Sequence, residues 1–325
     1  MTDGSRKAIL AAFLANLGIA LTKFVGFLLT GSASLLAETV HSIADTGNQA
    51  LLFLGGQRAK KAATPMHPFG SGRERYFWAF AVALVLFSMG GMFALYEGIQ
   101  KLRHPHDIES LPIAIGILVI AIALESWSMR TAVRESRHSK EPNTSWWGFI
   151  RTTRQPELPV VLLEDLGALC GLFVALVGVV LAATTGNARF DAAGSVAIGV
   201  LLVVIAIVLA VEMKSLLIGE SATKGESANI VGAIEGSAHV ERLIHMRTEH
   251  LGPEEILVGA KIEFSSDLSV DELVGALNAT EDRIRAAVPT ATIIYLEPDS
   301  FTPGRADPPP TPSSPAPPTP STTHE

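Results

Sequence analysis

His41 and Asp45 lie four residues apart in a segment that is otherwise mostly apolar. On an α-helix this spacing places both side chains on one face. An imidazole and a carboxylate form a nitrogen and oxygen ligand pair that suits a divalent metal such as zinc. Ionisable side chains at membrane depth are costly and mark functional positions. The pair therefore predicts a metal site inside a membrane-spanning helix.

Glu164 and Asp165 are adjacent carboxylates in a second apolar segment. Neighbouring carboxylates repel each other and take up protons unless a cation lies beside them. With His41 and Asp45, one or both of these acids would complete a tetrahedral metal site. Two simpler interpretations stay open. His41 could form only a polar contact between helices, and the two acids could begin a helix outside the membrane at its positive end.

The helical repeat extends the first pair into a polar stripe. Glu38, His41 and Asp45 fall on one side of the helix, and Asn48 and Gln49 continue that side. Such a stripe cannot face lipid. Neutral imidazole and ionised carboxylate bind metal, whereas their protonated forms do not. Because histidine titrates near ~6.5, a site of this kind could exchange a metal ion for protons.

The composition is that of a polytopic membrane protein. Of 325 residues, 48% are hydrophobic and only 18% are charged. This is too apolar for an ordinary soluble domain. The net charge of −7 and the lack of a basic stripe exclude nucleic acid as a partner. The single cysteine, Cys170, excludes an internal disulfide framework.

Segments of roughly 20 mostly apolar residues predict six membrane spans. These are residues 8–30, 33–55, 75–99, 111–133, 158–184 and 190–217. Lysine and arginine are concentrated in the loops 57–75 and 130–157, which predicts that these loops and both termini face the cytoplasm. With no targeting presequence recognised, the sequence favours a multi-pass protein of the inner (plasma) membrane of a bacterial cell.

After Lys214 the pattern becomes that of a small α+β domain. The expected order is a helix, two strands, a helix and a last strand, over residues 224–236, 239–248, 256–264, 269–288 and 291–296. The chain would thus comprise a transmembrane domain (1–217), a cytoplasmic domain (218–299) and a Pro-, Ser- and Thr-rich tail (300–325) that should be disordered. His239, His245 and His250 could hold a second metal, but positions in solvent or at strand ends are favoured.

Other charged residues in the spans have less specific interpretations. Lys23 could lie against the acidic residues or extend to a membrane interface. Glu125 and Arg130 are expected to pair with each other. Asp191 is expected to cap the N-terminus of the sixth span.

Three motifs resemble those of the cation diffusion facilitator family, a family of secondary metal exporters. They are residues 29–45 (LTGSASLLAETVHSIAD), 67–78 (HPFGSGRERYFW) and 217–221 (LIGES). The resemblance covers nearly the whole chain except the tail.

The resemblance implies a six-helix, all-α transmembrane domain followed by a small cytoplasmic ferredoxin-like α+β domain. It implies a homodimer that exports a divalent cation, usually zinc, in exchange for protons, with no cofactor. The metal would lie between the second and fifth spans. His41 and Asp45 match the family's ligands in the second span, and Asp165 matches the aspartate of the fifth span when Gly171 sets the register.

The chain departs from the family at three places. The usual histidine of the fifth span is Val161, and Glu164 is expected to replace it, as in a branch with a Leu-Leu-Glu-Asp motif. An oxygen-rich site leaves manganese, cobalt and iron(II) open beside zinc. Ser71 and residues 295–298 (YLEP) stand where other members carry accessory metal ligands, so the soluble domain would serve mainly to dimerise.

Two alternatives belong to other functional classes. A membrane-embedded metalloenzyme would use His41, Asp45 and Glu164, but it needs an open coordination position, a general base and a substrate cleft. A membrane-anchored metal sensor would need a working metal site after Lys214. The predicted function is a transporter and not an enzyme.

Overall fold

The computed structural model describes residues 3–104, 111–140 and 143–302. The chain divides into two compact units, Met1–Leu217 and Ile218–Glu325. Most of the predicted tail, beyond residue 302, lies outside the described residues.

All regular secondary structure in the described part of the first unit is helical. Its helices are α1 (Asp3–Thr30), α2 (Ala33–Arg58), α3 (Glu74–Val85), α4 (Phe93–Arg103), α5 (Leu111–Ser139), α6 (Trp146–Thr152), α7 (Glu157–Thr185) and α8 (Arg189–Ile218). A π-helical segment, Leu86–Met92, joins α3 to α4, so that Glu74–Arg103 is one continuous helix. Apart from the short α6, the described residues thus form six long helices, one for each predicted span.

Four of these long helices are apolar and long enough to cross a bilayer, namely Glu74–Arg103, Leu111–Arg137, Glu157–Thr185 and Arg189–Ile218. In α1 the segment Leu17–Thr30 is also apolar. Helix α2 has the necessary length, 26 residues, but carries the polar stripe.

A tight turn at Gly31 joins α1 to α2. Gly31 has a φ of 64°, a conformation that glycine adopts without steric cost. The hydroxyl of Ser32 then accepts a hydrogen bond of 3.3 Å from the amide of Leu35 and so caps α2. This turn brings α2 back along α1, and α2 also packs on α3 and α7 while α5 packs on α1 and α7. Helices α1, α2, α5 and α7 therefore pack together as one group of four.

The π-helical segment packs closely against α8. A Cβ on Gly91 would lie 2.7 Å from Cγ2 of Val203, and a Cβ on Gly199 would lie 2.7 Å from the amide nitrogen of Leu95. Glycines at these positions allow the two backbones to approach. Gly90 faces His41, whose Nδ1 is 3.9 Å from the position of an added Cβ. Insertions of this kind are common near functional sites.

The second unit contains α9 (Lys224–Glu235), β1 (Val240–Gly252), β2 (Glu255–Phe264), α10 (Val270–Ala287) and β3 (Ile293–Pro298). This is the predicted order of helices and strands. The sheet order is β1-β2-β3, with β1 antiparallel and β3 parallel to β2. Residues of both helices share a hydrophobic core with alternate residues of β2, among them Ile230, Ile256, Val258, Ile262 and Ile284.

Candidate metal site

The polar stripe of α2 faces the protein interior. Glu38, His41 and Asn48 are fully buried, and Asp45 is 9% exposed. Nδ1 of His41 lies 3.3 Å from Oδ1 of Asp45, which is the i, i+4 contact that the sequence predicts. Yet both ring nitrogens of His41 and Oδ1 of Asp45 lack a hydrogen-bond partner among the described residues. Because buried polar atoms are normally satisfied, these atoms are available to a ligand.

Glu164 and Asp165 lie two turns inside α7, which begins at Glu157. The alternative that they begin a helix outside the membrane is therefore wrong. Nδ2 of Asn48 donates a hydrogen bond of 2.6 Å to Oε1 of the buried Glu164. The hydroxyl of Ser128 on α5 donates one of 3.0 Å to Oδ2 of Asp165. Each acid is thus held in position by a neighbouring helix.

One cavity gathers carboxylates from three helices. Asp45, Glu125, Glu164 and Asp165 line it, together with Ile19, Ser42, Gln49 and Ser128. The carboxyls of Asp45 on α2 and Glu164 on α7 both reach this cavity. Three of the four predicted ligands therefore meet at this cavity, while His41 lies behind Asp45 and does not line it. The donor atoms do not form a closed coordination shell: among the described residues no three His, Cys, Asp or Glu side chains have that arrangement.

Glu125 was not expected at this cavity. The sequence pairs it with Arg130, but residues five positions apart point to different sides of a helix. Instead, Oε1 of Glu125 lies 3.5 Å from Nζ of Lys23. Lys23 also reaches Oε2 of Glu38 at 3.3 Å and donates a hydrogen bond of 2.7 Å to the hydroxyl of Ser42. Of the two interpretations of Lys23, the one against the acidic residues is correct.

Asp191, which the sequence predicts to cap the sixth span, makes tertiary contacts from inside the first turn of α8. It is fully buried in the first turn of α8. Oδ1 accepts a hydrogen bond of 2.9 Å from Ser32, and Oδ2 lies 3.7 Å from Nζ of Lys101, whose ammonium also contacts the carbonyl of Gly31. Asp191 therefore ties the α1–α2 turn to α4 and α8, at the end of the bundle opposite the loop 57–75.

The motif 67–78 positions the start of α7. Nε and Nη2 of Arg75 donate hydrogen bonds of 2.6 and 2.9 Å to the two carboxylate oxygens of Glu157. The Arg58 guanidinium lies 5.1 Å from the ring centroid of Trp78, and Nε1 of Trp78 donates a hydrogen bond to Glu74. These contacts join the ends of α2, α3 and α7, so the motif fixes the two helices that carry the predicted ligands.

The histidines of the second unit do not share a site. His250 is buried, with Nδ1 3.2 Å from the carbonyl of Gly252 and Nε2 3.6 Å from Glu226. Nε2 of His245 accepts a hydrogen bond from Arg247, and His239 occupies a turn with a φ of 63°. The positions of these side chains agree with structural roles in strands and turns.

Comparison with known proteins gives the family. Residues 9–218 match the family model described as the cation efflux transmembrane domain. The mouse protein named proton-coupled zinc antiporter SLC30A9, mitochondrial, is 30% identical over 262 residues, which cover 80% of this chain and 46% of that protein. The metal tolerance protein C4 of Arabidopsis thaliana is 27% identical over 267 residues, covering 82% of this chain and 58% of its own.

A shorter similarity reaches a bacterial protein, the zinc transporter ZitB of Escherichia coli (strain K12). It is 30% identical over 137 residues, or 41% of this chain and 43% of that protein. The chain spans about half the length of the first of these relatives. The family model covers the six long helices and both predicted ligand pairs. The chain therefore belongs to the cation efflux family, the cation diffusion facilitators, and is a multi-pass membrane protein.

Proposed function

We propose that the chain exports a divalent cation, zinc first, in exchange for protons, by alternating access within a homodimer. One observation carries this proposal: Asp45 from α2 and Glu164 and Asp165 from α7 line one cavity, and His41 lies against Asp45. Carboxylate oxygens and an imidazole nitrogen are the ligand types that zinc takes outside cysteine sites. The metal would be held by His41, Asp45, Glu164 and Asp165.

The absence of the family's fifth-span histidine supports a role for Glu164 as a metal ligand. Val161 stands at the position of that histidine, so the only ligands predicted in the fifth span are carboxylates. Glu164 is buried, and the hydrogen bond from Asn48 directs its Oε1 toward α2. A glutamate held in this way can supply the oxygen that replaces the missing nitrogen. The same change makes the site richer in oxygen, so manganese, cobalt and iron(II) are the competitors to test.

The carboxyls gathered at the cavity support proton exchange. Neighbouring carboxylates repel each other and take up protons when no cation lies between them. A divalent cation binds the deprotonated groups, so binding releases protons and protonation releases the metal. Names of relatives agree with this chemistry, since the mouse protein is called a proton-coupled zinc antiporter.

The second unit offers a surface for the homodimer. Helices α9 and α10 cover one face of the sheet, whereas Tyr295 on β3 is 61% exposed on the other. Val270 on α10 is 77% exposed. Burial of such apolar surface against a second copy would favour association. For orientation, the basic loops 57–75 and 130–157 support a cytoplasmic location of these loops in the inner membrane of a cell.

The test is metal flux in proteoliposomes with a zinc-sensitive dye and an imposed pH gradient. We expect zinc flux that requires the gradient and that falls by about tenfold or more, on the order of 1.4 kcal/mol or above, in Asp45→Ala and Asp165→Ala. Asp282→Ala removes a carboxylate that is 81% exposed and should leave the flux unchanged. Competition by manganese, cobalt and iron(II) identifies the preferred metal.

Two results would reject the proposal. Unchanged flux in both site variants would put the pathway elsewhere. Absence of flux for all four metals, in vesicles that contain folded native protein, would favour the enzyme or the sensor. A sensor would in addition bind metal through residues after Lys214 and tolerate Asp45→Ala. The molar mass of the detergent-solubilised chain, measured by light scattering, tests the homodimer, and a monomer would contradict it.

A further inference from the structure

Lys23 is a buried cation beside the candidate metal site. Its side chain is 1% exposed, and Nζ contacts Glu38, Ser42 and Glu125 at 3.3, 2.7 and 3.5 Å. A lysine at this depth is retained only when carboxylates compensate its charge. Ser42 and Glu125 both line the cavity of the candidate metal site. The ammonium of Lys23 therefore lies at the edge of the space in which the transported cation would bind.

Glu125 belongs to the cavity and not only to the ion pair. It lines the cavity together with Asp45, Glu164 and Asp165. It stands on α5, a helix that carries none of the predicted ligands. Around this cavity, the described residues therefore include more carboxylates than cationic side chains.

A second observation indicates that this cavity is prepared for a ligand. Asp45 is only 9% exposed, and its Oδ1 has no hydrogen-bond partner among the described residues. Oε1 of Glu38, the other acid paired with Lys23, is also without such a partner. Buried carboxylate oxygens without partners are costly and are expected where a cation binds.

We propose that Glu125 is an additional carboxylate that contacts the transported cation, and that Lys23 is its counter-ion while the metal is absent. The metal displaces the ammonium from Glu125, and Lys23 then stays paired with Glu38. The long flexible stem of lysine permits this movement, and its compact ammonium competes with a metal ion for the same carboxylate oxygens. This inference rests on the proposed transport function. In this arrangement the ammonium of Lys23 competes with the metal for Glu125, which weakens metal binding and assists metal release.

The test measures zinc binding by competition with a fluorescent chelator, using the purified full chain at fixed pH. Glu125→Gln keeps the size of the side chain and leaves Lys23 paired with Glu38, so it should fold. We expect this variant to bind zinc about tenfold more weakly. Lys23→Met should bind zinc about tenfold more tightly but transport it with a lower maximal rate. In the double variant, the gain from Lys23→Met should largely disappear, because its partner is gone.

Two further variants separate competition from packing. Lys101→Met removes another buried lysine and its ion pair with Asp191, outside the residues that line the cavity. It controls for loss of stability, and it should not tighten zinc binding. Lys23→Arg keeps the charge and should bind zinc within about threefold of the native chain.

The outcomes are distinct from those that test transport itself. If the native chain binds and transports zinc but Glu125→Gln binds zinc with native affinity, this inference is wrong and the proposed function stands. Native or weaker affinity in a folded Lys23→Met would equally show that Lys23 only supports packing. If the native chain neither binds nor transports zinc, manganese, cobalt or iron(II), the proposed function fails first.

Discussion

Asn48 and Glu164 are joined by a hydrogen bond of 2.6 Å between Nδ2 and Oε1, although 116 positions separate them in the chain. Both side chains are buried, and the bond connects the two helices that carry the predicted ligands. It orients one oxygen of Glu164, a residue that also lines the cavity. The amide of Asn48 is thus a positioning group for Glu164.

Substitution Asn48→Ala should weaken zinc binding by about tenfold, because a hydrogen bond to a charged group contributes about 1.5 kcal/mol. Metal competition titrations on the purified chain measure the change. Asn278→Ala, at an exposed position of α10, is the matched control and should bind zinc as the native chain does. Native affinity in a folded Asn48→Ala would show that Glu164 does not depend on this bond.

Gly171 permits the burial of Glu38. A Cβ at this position would collide with Oε1 of Glu38, whose carboxylate is fixed by Lys23. Gly171→Ala should therefore lower the stability of the bundle by about 1–3 kcal/mol, the usual cost of overpacking. Thermal unfolding in detergent measures the loss. Gly47→Ala, on an exposed side of α2 with no neighbouring atom within 4 Å, should unfold at the native temperature or slightly above it.

The bridge between Arg75 and Glu157 should support transport by fixing the starts of α3 and α7. Either single change, Arg75→Ala or Glu157→Gln, should cost about 1–2 kcal/mol of stability, as expected for a half-buried bidentate pair. The exchanged pair Arg75→Glu with Glu157→Arg should recover part of that loss. The exposed pair of Arg285 with Glu281, 3.0 Å apart, is the control, and Arg285→Ala should change the unfolding temperature little. If Arg285→Ala lowered the stability as much as Arg75→Ala does, the bridge between Arg75 and Glu157 would have no special role.

Glu226 makes the stability of the second unit depend on pH. The neighbouring His250, with hydrogen bonds from Thr223, lowers the pKa of Glu226 from 4.5 to about 2. A lowered folded-state pKa gives stability that is present above pH 4.5 and is lost as the pH falls toward 2. Since the side chain is partly exposed, solvent screening reduces this contribution to the order of ~1 kcal/mol.

Hydrogen exchange of α9 tests this pH dependence. Protection factors for α9 should fall between pH 4.5 and pH 2 in the native chain, because Glu226 also completes the capping box with Thr223. In Glu226→Gln they should be lower already at about pH 5 and should change less on acidification. The amides of α10, whose capping box uses Ser269 and Glu272, provide an internal reference. An unchanged pH profile in the variant would assign the acid sensitivity to another group.

Local periodicity was enough to predict the elements of both units. The apolar runs predicted the six long helices, and the alternating pattern after Lys214 predicted the order of helices and strands in the second unit. The i, i+4 spacing predicted the contact of His41 with Asp45, because neighbours on a helix follow from the backbone repeat alone. The motifs, in the same way, indicated the family that the comparison confirms.

Which side chains share the cavity follows instead from the packing of the helices. Glu125 lies far from Lys23 in the chain, and no local rule pairs them; the packing of α5 against α1 does so. The same packing separates His41 from the cavity and directs it toward Gly90, although sequence spacing treats it as equal to Asp45. A metal site depends on where helices cross, and crossing points follow from the close approach of whole surfaces. Residues such as Gly91 and Gly199 contribute to that approach from outside the motifs.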